Sequence, residues 1–177
     1  MRLPGDLPER AAVHRMIRVD HAGEYGAARI YAGQLALLGG GETGPVLRHM
    51  QAQEQRHLAT FEALIGRRRV RPTALLPLWH LAGYALGAAT AALGQRAAMA
   101  CTVAVEEAID AHYAGQISAL EDSESELKGT LEAFRAEELE HRDIGLAHGA
   151  TDTPGYRLLS ATIKAGCRAA IALSERI

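Results

Sequence analysis

Two short pairs of a carboxylate and an imidazole stand out in the 177-residue sequence. Glu54 and His57 are separated by two residues, and Glu138 and His141 have the same spacing. Residues three positions apart share one face of a helix, so each pair can direct both groups at one point. A single pair of this kind has little weight, because it also arises by chance on solvated helix faces.

Hairpin geometry supplies a second constraint. Two antiparallel helices joined by a short turn place residues that are equidistant from the turn at the same height. With a turn at Gly39 to Gly41, Glu24 is level with the first pair. With a turn near Glu121 to Ser123, Glu106 is level with the second pair. Each half of the chain therefore has a glutamate, an interval of 30 or 32 residues, and then a glutamate–histidine pair.

The combined set of four glutamates and two histidines is typical of carboxylate-bridged di-iron or di-manganese bundles. Two divalent ions would balance four carboxylate charges, and imidazole with carboxylate suits iron or manganese, whereas structural zinc favours thiolates. The spacing does not distinguish iron from manganese. The alternative is a plain bundle in which some of these glutamates lie on the surface, because four carboxylates buried without metal would repel one another.

Helical patterns that would position these residues fill most of the chain. Long helices are predicted over residues 10–38, 45–66, 95–120 and 123–148, with a last helix from 153 to the C-terminus. Ser123 and Glu126 form a capping box, and Thr153 is predicted to cap the last helix. We predict a single all-α domain over residues 1–177. It is a ferritin-like four-helix bundle with a di-metal core, an apolar helical insertion between its second and third helices, and a C-terminal helix.

The composition favours the same fold class. Alanine and leucine, at 34 and 22 residues, outnumber the 15 valines and isoleucines, and strands favour the β-branched residues that are scarce here. A net charge of −2 argues against a general nucleic-acid binder. Two distant cysteines without a CxxC pair exclude a disulfide scaffold and a zinc ribbon. Arg2 to Arg10 has no signal or transit peptide pattern, so a bacterial cytoplasmic protein is expected.

Residues 73–94 contain no charged side chain and are long enough to span a bilayer. A span would place the flanking bundle helices on opposite sides of the membrane, and the metal site could not close. We therefore expect the segment to lie on the membrane as a monotopic anchor, with Arg67, Arg68, Arg69 and Arg71 near anionic headgroups. The alternatives are a buried packing segment and a protein–protein face.

Several motifs resemble the demethoxyubiquinone hydroxylases of ubiquinone biosynthesis. The motifs are residues 17–27, 29–34, 71–73, 77–79, 98–107, 137–146, 165–167 and 173–176. The resemblance extends from about Arg10 to Ile177. It implies a ferritin-like di-iron monooxygenase that uses dioxygen to hydroxylate the ring of a polyprenyl methoxy-methyl-benzoquinone, whose product another enzyme then methylates.

The resemblance also implies ligands and partners. By position, the iron ligands of the family correspond to Glu24, Glu54, His57, Glu106, Glu138 and His141. Spacing alone leaves open the choice within Glu106-Glu107 and within Glu137-Glu138, and the resemblance implies the first and the second glutamate, respectively. NADH is the implied reductant, and a lipid-binding partner protein is implied to dock on the hydroxylase. A peripheral location on the cytoplasmic face of the inner membrane is expected, with a homo-oligomer as a further candidate. The length of the isoprenoid tail stays open.

Four further residues are candidates for roles beside the metal. Tyr113 is seven residues after Glu106 and returns to the same helix face, although core packing is the alternative. The resemblance implies that His112 and Tyr113 act near the substrate or in electron delivery, whereas periodicity alone slightly favours a surface position for His112. Gln53 and Glu137 each precede a ligand glutamate, and we expect each to accept the second N–H of the opposite ligand histidine, unless both face solvent.

Two other functions fit parts of the pattern. One is a peroxide-reducing or iron-oxidising protein related to rubrerythrin or ferritin, and the other is a non-catalytic, metal-stabilised scaffold of a quinone-synthesis complex. The lack of a CxxC pair argues against rubrerythrin, and the apolar segment argues against a storage shell. The complete ligand set argues against a scaffold.

Overall fold

The computed structural model describes residues 9–177, and it is all-helical over that range, as predicted. Six α-helices are connected by short turns and two 3₁₀ turns. They are α1 (Glu9–Leu38), α2 (Gly44–Arg68), α3 (Leu76–Ala92), α4 (Gln95–Ala119), α5 (Ser125–Ala147) and α6 (Tyr156–Ser174). Most of the stretch from Arg2 to Arg10, where no targeting peptide is expected, lies outside the described residues.

The four-helix bundle consists of two hairpins, α1 with α2 and α4 with α5. The first turn is tight because Gly44 lies against the carbonyl of Gly39, where a Cβ atom would overlap the oxygen. Arg48 donates a hydrogen bond of 2.8 Å to the same carbonyl and closes the turn. The predicted turn positions are correct, and residues equidistant from each turn are therefore level.

Two predicted helix caps are wrong by one or two residues. α5 begins at Ser125 after a 3₁₀ turn at Asp122–Glu124, so the predicted cap Ser123 lies inside that turn. α6 begins at Tyr156, and the residue before it is Gly155 with φ 72°. In both places a short 3₁₀ turn comes before the α-helix, and a capping pattern in the sequence does not distinguish the two kinds of helix.

α3 runs alongside α1 and in the same direction. Buried glycines make the contact: a Cβ on Gly83 would lie 2.8 Å from the carbonyl oxygen of Gly26, and a Cβ on Gly87 would overlap the carbonyl of Ile30. The N-terminal half of α3 is held by a hydrogen bond of 2.7 Å between Tyr25 and His80. No helix among residues 9–177 has the length and hydropathy needed to cross a membrane.

The side of α3 that points away from α1 is apolar and exposed. Leu81 is 69% exposed, and Leu93, the residue directly after the helix, is 75% exposed. Leu78 belongs to the same surface, and Tyr84 lies at its edge, where its ring packs under the guanidinium of Arg29 on α1. We call Leu78, Leu81, Tyr84 and Leu93 the outer face of α3. It contains the exposed large apolar side chains of the predicted apolar segment.

Two apolar clusters lie at opposite ends of the bundle and enclose its middle. The first contains Ile17, Phe61 and Leu131. The second contains Leu47 and Met99. The polar residues described next lie between them and are shielded from water on both sides.

Candidate metal centre

The structure brings together all six side chains that the sequence singles out. They come from four helices and are at most 1% exposed. Their ligand atoms form two groups, each with its atoms within 4.8 Å of one another. The first group is Glu24, Glu54, His57 and Glu138, and the second is Glu54, Glu106, Glu138 and His141. Glu54 and Glu138 belong to both groups, as bridging carboxylates would.

Each histidine directs Nδ1 into the cluster. His57 Nδ1 lies 3.0 Å from Glu138 Oε1 and 3.4 Å from Glu24 Oε2. His141 Nδ1 lies 3.1 Å from Glu54 Oε1 and 3.3 Å from Glu138 Oε2. The arrangement follows from the i, i+3 spacing on α2 and α5, which places a glutamate and a histidine on the same inward face.

The pKa values of the cluster show that burying these charged groups together is unfavourable. Burial and repulsion by Glu138 raise the pKa of Glu54 well above its usual range, and the same causes raise the pKa of Glu106 to about 8. Burial alone would lower the pKa values of the histidines, but the surrounding carboxylates raise them to about 11 for His57 and about 12 for His141. Without metal, the cluster therefore retains protons that a cation would displace.

The cluster has more acceptor atoms than donors. Both carboxylate oxygens of Glu54 and of Glu138 are buried without a hydrogen-bond donor, and so are one oxygen each of Glu24 and Glu106. Nδ1 of each histidine lies within ion-pair distance of these oxygens but makes no hydrogen bond of regular geometry. Buried oxygens of this kind are costly unless a cation or donor satisfies them. The donor set, with oxygen and nitrogen atoms only, fits two hard or borderline divalent ions such as iron or manganese.

The predicted partners of the histidines are present. His57 Nε2 donates to Glu137 Oε2 at 3.1 Å, and His141 Nε2 donates to Gln53 Oε1 at 2.9 Å. Both partners sit one residue before a glutamate of the cluster, on the helix opposite the histidine that they contact. They fix the ring orientations so that Nδ1 points inward.

Two tyrosines donate hydrogen bonds to the cluster in a crossed pattern. Tyr113 on α4 donates to Glu24 on α1, and Tyr31 on α1 donates to Glu106 on α4 at 2.9 Å. Both tyrosines are buried. Tyr31 is not among the residues that the sequence predicted, although its spacing of seven residues from Glu24 equals that of Tyr113 from Glu106.

His112 does not contact the cluster. Its side chain is 18% exposed, and Nε2 lies 3.3 Å from Asp20 Oδ1 and 2.9 Å from the Gln116 amide nitrogen. Asp20 is buried, and burial raises the pKa of its carboxyl group. His112 therefore lies between a shallow surface depression of about 280 Å³ and Asp20, whose buried carboxylate is close to Tyr113.

An open, largely apolar groove of about 480 Å³ lies between α1 and the start of α3. Its lining includes Leu76, Pro77 and Leu81, together with the hydrogen-bonded Tyr25 and His80. Tyr25 follows the cluster residue Glu24 directly, so the groove lies beside the cluster on the α3 side of α1.

The arginines before α3 are partly engaged within the protein. Arg67 donates to Glu126 at 3.2 Å, and Arg68 donates to Glu124 at 2.8 Å. Two of the four arginines expected near lipid headgroups are thus paired with carboxylates, and Arg69 and Arg71 are the two that remain.

Comparisons with known proteins agree with this geometry. A family model described as ubiquinone biosynthesis protein COQ7 matches residues 11–174. A relative from Rhodospirillum rubrum, named 3-demethoxyubiquinol 3-hydroxylase, is 59% identical over 177 residues, covering 99% of this chain and 84% of the relative.

Two eukaryotic relatives extend the likeness. The human protein, named NADPH-dependent 3-demethoxyubiquinone 3-hydroxylase, mitochondrial, is 59% identical over 176 residues, covering 97% of this chain and 81% of the relative. The Saccharomyces cerevisiae protein, named 5-demethoxyubiquinone hydroxylase, mitochondrial, is 41% identical over 186 residues, covering 96% of this chain and 80% of the relative. The family resemblance predicted from the motifs is confirmed: this chain belongs to the family of the ubiquinone biosynthesis protein COQ7.

Proposed function

We propose that this chain is a monooxygenase that hydroxylates the ring of a polyprenyl demethoxyubiquinone in ubiquinone biosynthesis. The observation that carries the proposal is the convergence of four buried glutamates and two buried histidines in two overlapping ligand groups. Membership of the family favours a hydroxylase over a ferritin-like iron store or a non-catalytic scaffold. The relatives' names differ in the substrate's redox state, since the R. rubrum name specifies the quinol and the human name the quinone.

Two iron ions held by this cluster would supply the activation of dioxygen as co-substrate. Glu24 with His57, and Glu106 with His141, are each positioned to hold one ion, and Glu54 with Glu138 to hold both. The apolar clusters at both ends of the bundle exclude water from the reacting groups, which strengthens the interactions of charges inside.

Tyr113 restrains Glu24, and Tyr31 restrains Glu106. These are the two glutamates that belong to only one ligand group. A hydroxyl donor on Glu24 limits how far that carboxylate can shift, and it leaves the second oxygen free for an ion. We expect Tyr113→Phe to reduce turnover while leaving the two ligand groups intact. Unchanged turnover in this variant would contradict a role for Tyr113, and Tyr156→Phe at the start of α6 is a matched control.

The substrate's apolar tail suggests entry along α3. The groove lined by Leu76, Pro77 and Leu81 has the chemistry to hold an isoprenoid chain, and it continues into the outer face of α3. Residues 73–94 would then lie on the membrane as a peripheral anchor, on the cytoplasmic face of the inner membrane, with Arg69 and Arg71 beside the headgroups. A lipid-binding partner protein, or a second copy of the chain, would compete for the same face.

A pyridine dinucleotide is the proposed source of electrons. The resemblance implies NADH, whereas the name of the human relative specifies NADPH. His112 is the proposed point of electron delivery, because it is accessible from the surface and directly precedes Tyr113. Parallel oxidation assays with NADH and NADPH would identify the donor for this chain.

The deciding experiment combines a metal assay with a product assay. Purified wild type and Glu54→Ala are loaded with ferrous iron, and the iron is counted before each protein receives demethoxyubiquinone, dioxygen and reductant. We expect two irons per chain and hydroxylated product from wild type only. Iron uptake with ferrous oxidation but no ring hydroxylation would favour the ferritin-like function, and neither activity in a folded protein would favour a scaffold.

A further inference from the structure

The two halves of the proposed centre match closely, except at the outer nitrogen of each histidine. Each half has one histidine and one glutamate of its own, and each of those glutamates accepts a tyrosine hydroxyl. In the hydrogen bonds of the two histidines, the difference lies in the acceptors Glu137 and Gln53. Glu137 faces His57, and Gln53 faces His141.

These acceptors differ in charge. Glu137 Oε2 also accepts a hydrogen bond of 2.8 Å from Arg56, which holds the carboxylate ionised and in place. Gln53 is a neutral amide with 6% of its surface exposed. A hydrogen bond to an ionised acceptor is about twice as strong as one between neutral groups. A carboxylate behind an imidazole also makes the ring a stronger electron donor to a metal than an amide does.

The inner environment does not cancel this difference. Glu54 and Glu138 are common to both ligand groups, and the remaining glutamates are both fully buried and both bonded to a tyrosine. The carboxylate behind His57 therefore has no charged counterpart behind His141. Its partner Arg56 is 59% exposed, so solvent screens the opposing positive charge more than it screens the carboxylate, which contacts the ring directly. Extra negative charge near one ion favours binding of a cation there and favours its more oxidised state.

We propose that Glu137 and Gln53 are positioning residues that make the two metal sites unequal, so that the site of His57 binds its ion first and has the lower reduction potential. This inference rests on the proposed function, because it requires a metal in both ligand groups. It adds an order of loading and oxidation to that function.

The test is a metal titration of the full-length, metal-free protein. Ferrous iron is added anaerobically and followed by calorimetry, and Mössbauer spectra are recorded after one and two equivalents of ⁵⁷Fe. We expect two binding steps whose affinities differ by roughly 10- to 100-fold, the usual effect of an outer partner of a ligand histidine. At one equivalent the spectrum should show one dominant iron environment.

A charge-conserving exchange provides the sharpest comparison. Glu137→Gln should bring the two affinities together by weakening the first step, and Gln53→Glu should do so by tightening the second. The double variant E137Q/Q53E keeps the net charge and should restore two unequal steps, with the first iron giving the spectrum that belongs to the second in wild type. Glu140→Gln is the matched control, since Glu140 lies on the same helix and is exposed.

Equal affinities in wild type, or a step ratio that neither single variant changes, would overturn the inference. Failure of Gln53→Glu to fold would leave Glu137→Gln as the deciding variant, because Glu137 lies at the edge of the bundle with 30% of its side chain exposed. Failure of the proposed function is a separate result. It would appear as a wild type that binds no iron, or that binds two irons and hydroxylates no quinone.

Discussion

The buried cluster gathers more negative charge than its own imidazoles can neutralise. Four carboxylates face two histidines in a region closed to water. In the absence of metal, the balance is achieved by protons. Burial and mutual repulsion raise the pKa values of Glu54 and Glu106, and the surrounding carboxylates raise the pKa values of both histidines against the lowering effect of burial. Metal binding and folding stability should therefore respond in opposite directions when one carboxylate is removed.

Glu54→Gln tests this opposition at a single residue. The amide keeps the shape of the side chain and is neutral without binding a proton, so the metal-free protein should gain roughly 1–3 kcal/mol in unfolding free energy. The same variant should bind fewer than two irons per chain. Urea denaturation of the metal-free protein and metal analysis of the loaded protein measure the two effects, with Glu62→Gln on the exposed side of α2 as control. A variant that loses stability without metal would contradict this account.

The pH dependence of the metal-free protein follows from the same pKa values. Glu106 titrates near 8 in the folded protein, far above an unfolded glutamate, and His57 and His141 titrate near 11 and 12. The folded state therefore binds more protons than the unfolded state between about pH 5 and 9, and its stability should fall as the pH rises through that window. Iron affinity should rise over the same window, with protons released.

Denaturation curves of metal-free and iron-loaded protein at several pH values check this directly. Burial raises the pKa of Glu138, but both histidines lower it by more, to about 2. Glu138 is therefore ionised throughout that pH window and does not contribute to the change in stability. A metal-free protein that becomes more stable between pH 5 and 9 would show that the carboxylates are not buried together in solution.

Sequence patterns predicted most of this cluster. Helix spacing and hairpin symmetry indicated the proposed ligands, Tyr113, Gln53 and Glu137, because they constrain positions that are polar in an otherwise apolar interior. The choice between adjacent glutamates in Glu106-Glu107 and Glu137-Glu138 came from the family resemblance. Tyr31 was not predicted, because a buried tyrosine near an alanine-rich helix contact has the same pattern as ordinary core packing. Its crossed hydrogen bond to Glu106 depends on how α1 faces α4, which spacing within one helix does not specify.

At the scale of helices, the contact between α1 and α3 is made by backbone atoms. Gly83 and Gly87 on α3 lie against the carbonyls of Gly26 and Ile30 on α1. The sequence predicted the position of α3 and its lack of charge, but not its partner, because an almost uniformly apolar helix has no periodic stripe that points to one neighbour. The caps of α5 and α6 were misplaced for the different reason that 3₁₀ turns come first.

Gly87→Ala should destabilise the protein by about 1–3 kcal/mol, because the added methyl group would overlap a backbone carbonyl that cannot move aside. Gly129→Ala is the matched control in the interior of α5, where a Cβ would have nothing within 4 Å. It should stabilise the protein by about 0.5–1 kcal/mol through helix propensity. Equal effects in urea denaturation would mean that α3 is not packed this closely against α1.

At the scale of the whole molecule, apolar surface is concentrated on the outer face of α3. Leu81 and Leu93 are among the most exposed large apolar residues of the described chain. Leu81 also lines the groove at Tyr25 and His80, whereas Leu93 follows the far end of α3. Exposed apolar patches of this kind mark lipid or protein contacts. The bundle, by contrast, is closed around its polar centre.

Leu81→Asp should abolish flotation of the protein with liposomes that contain anionic phospholipid, since a charge would have to enter the apolar layer. Leu146→Asp on α5 is the control, because Leu146 is also exposed but lies away from α3. Wild type that does not float, or a Leu81 variant that floats as well as wild type, would favour a protein partner as the occupant of this face.

The crossed tyrosines have a consequence for the origin of the chain. Glu24, Tyr31 and the pair Glu54–His57 have counterparts in Glu106, Tyr113 and the pair Glu138–His141, and each tyrosine reaches the glutamate of the other hairpin. A homodimer of one ancestral hairpin would form all of these bonds between its two copies. Such a dimer must carry the same residue at both positions now occupied by Gln53 and Glu137. Fusion of two gene copies into one reading frame is the event that allows those positions to diverge, and with them the two halves of the centre.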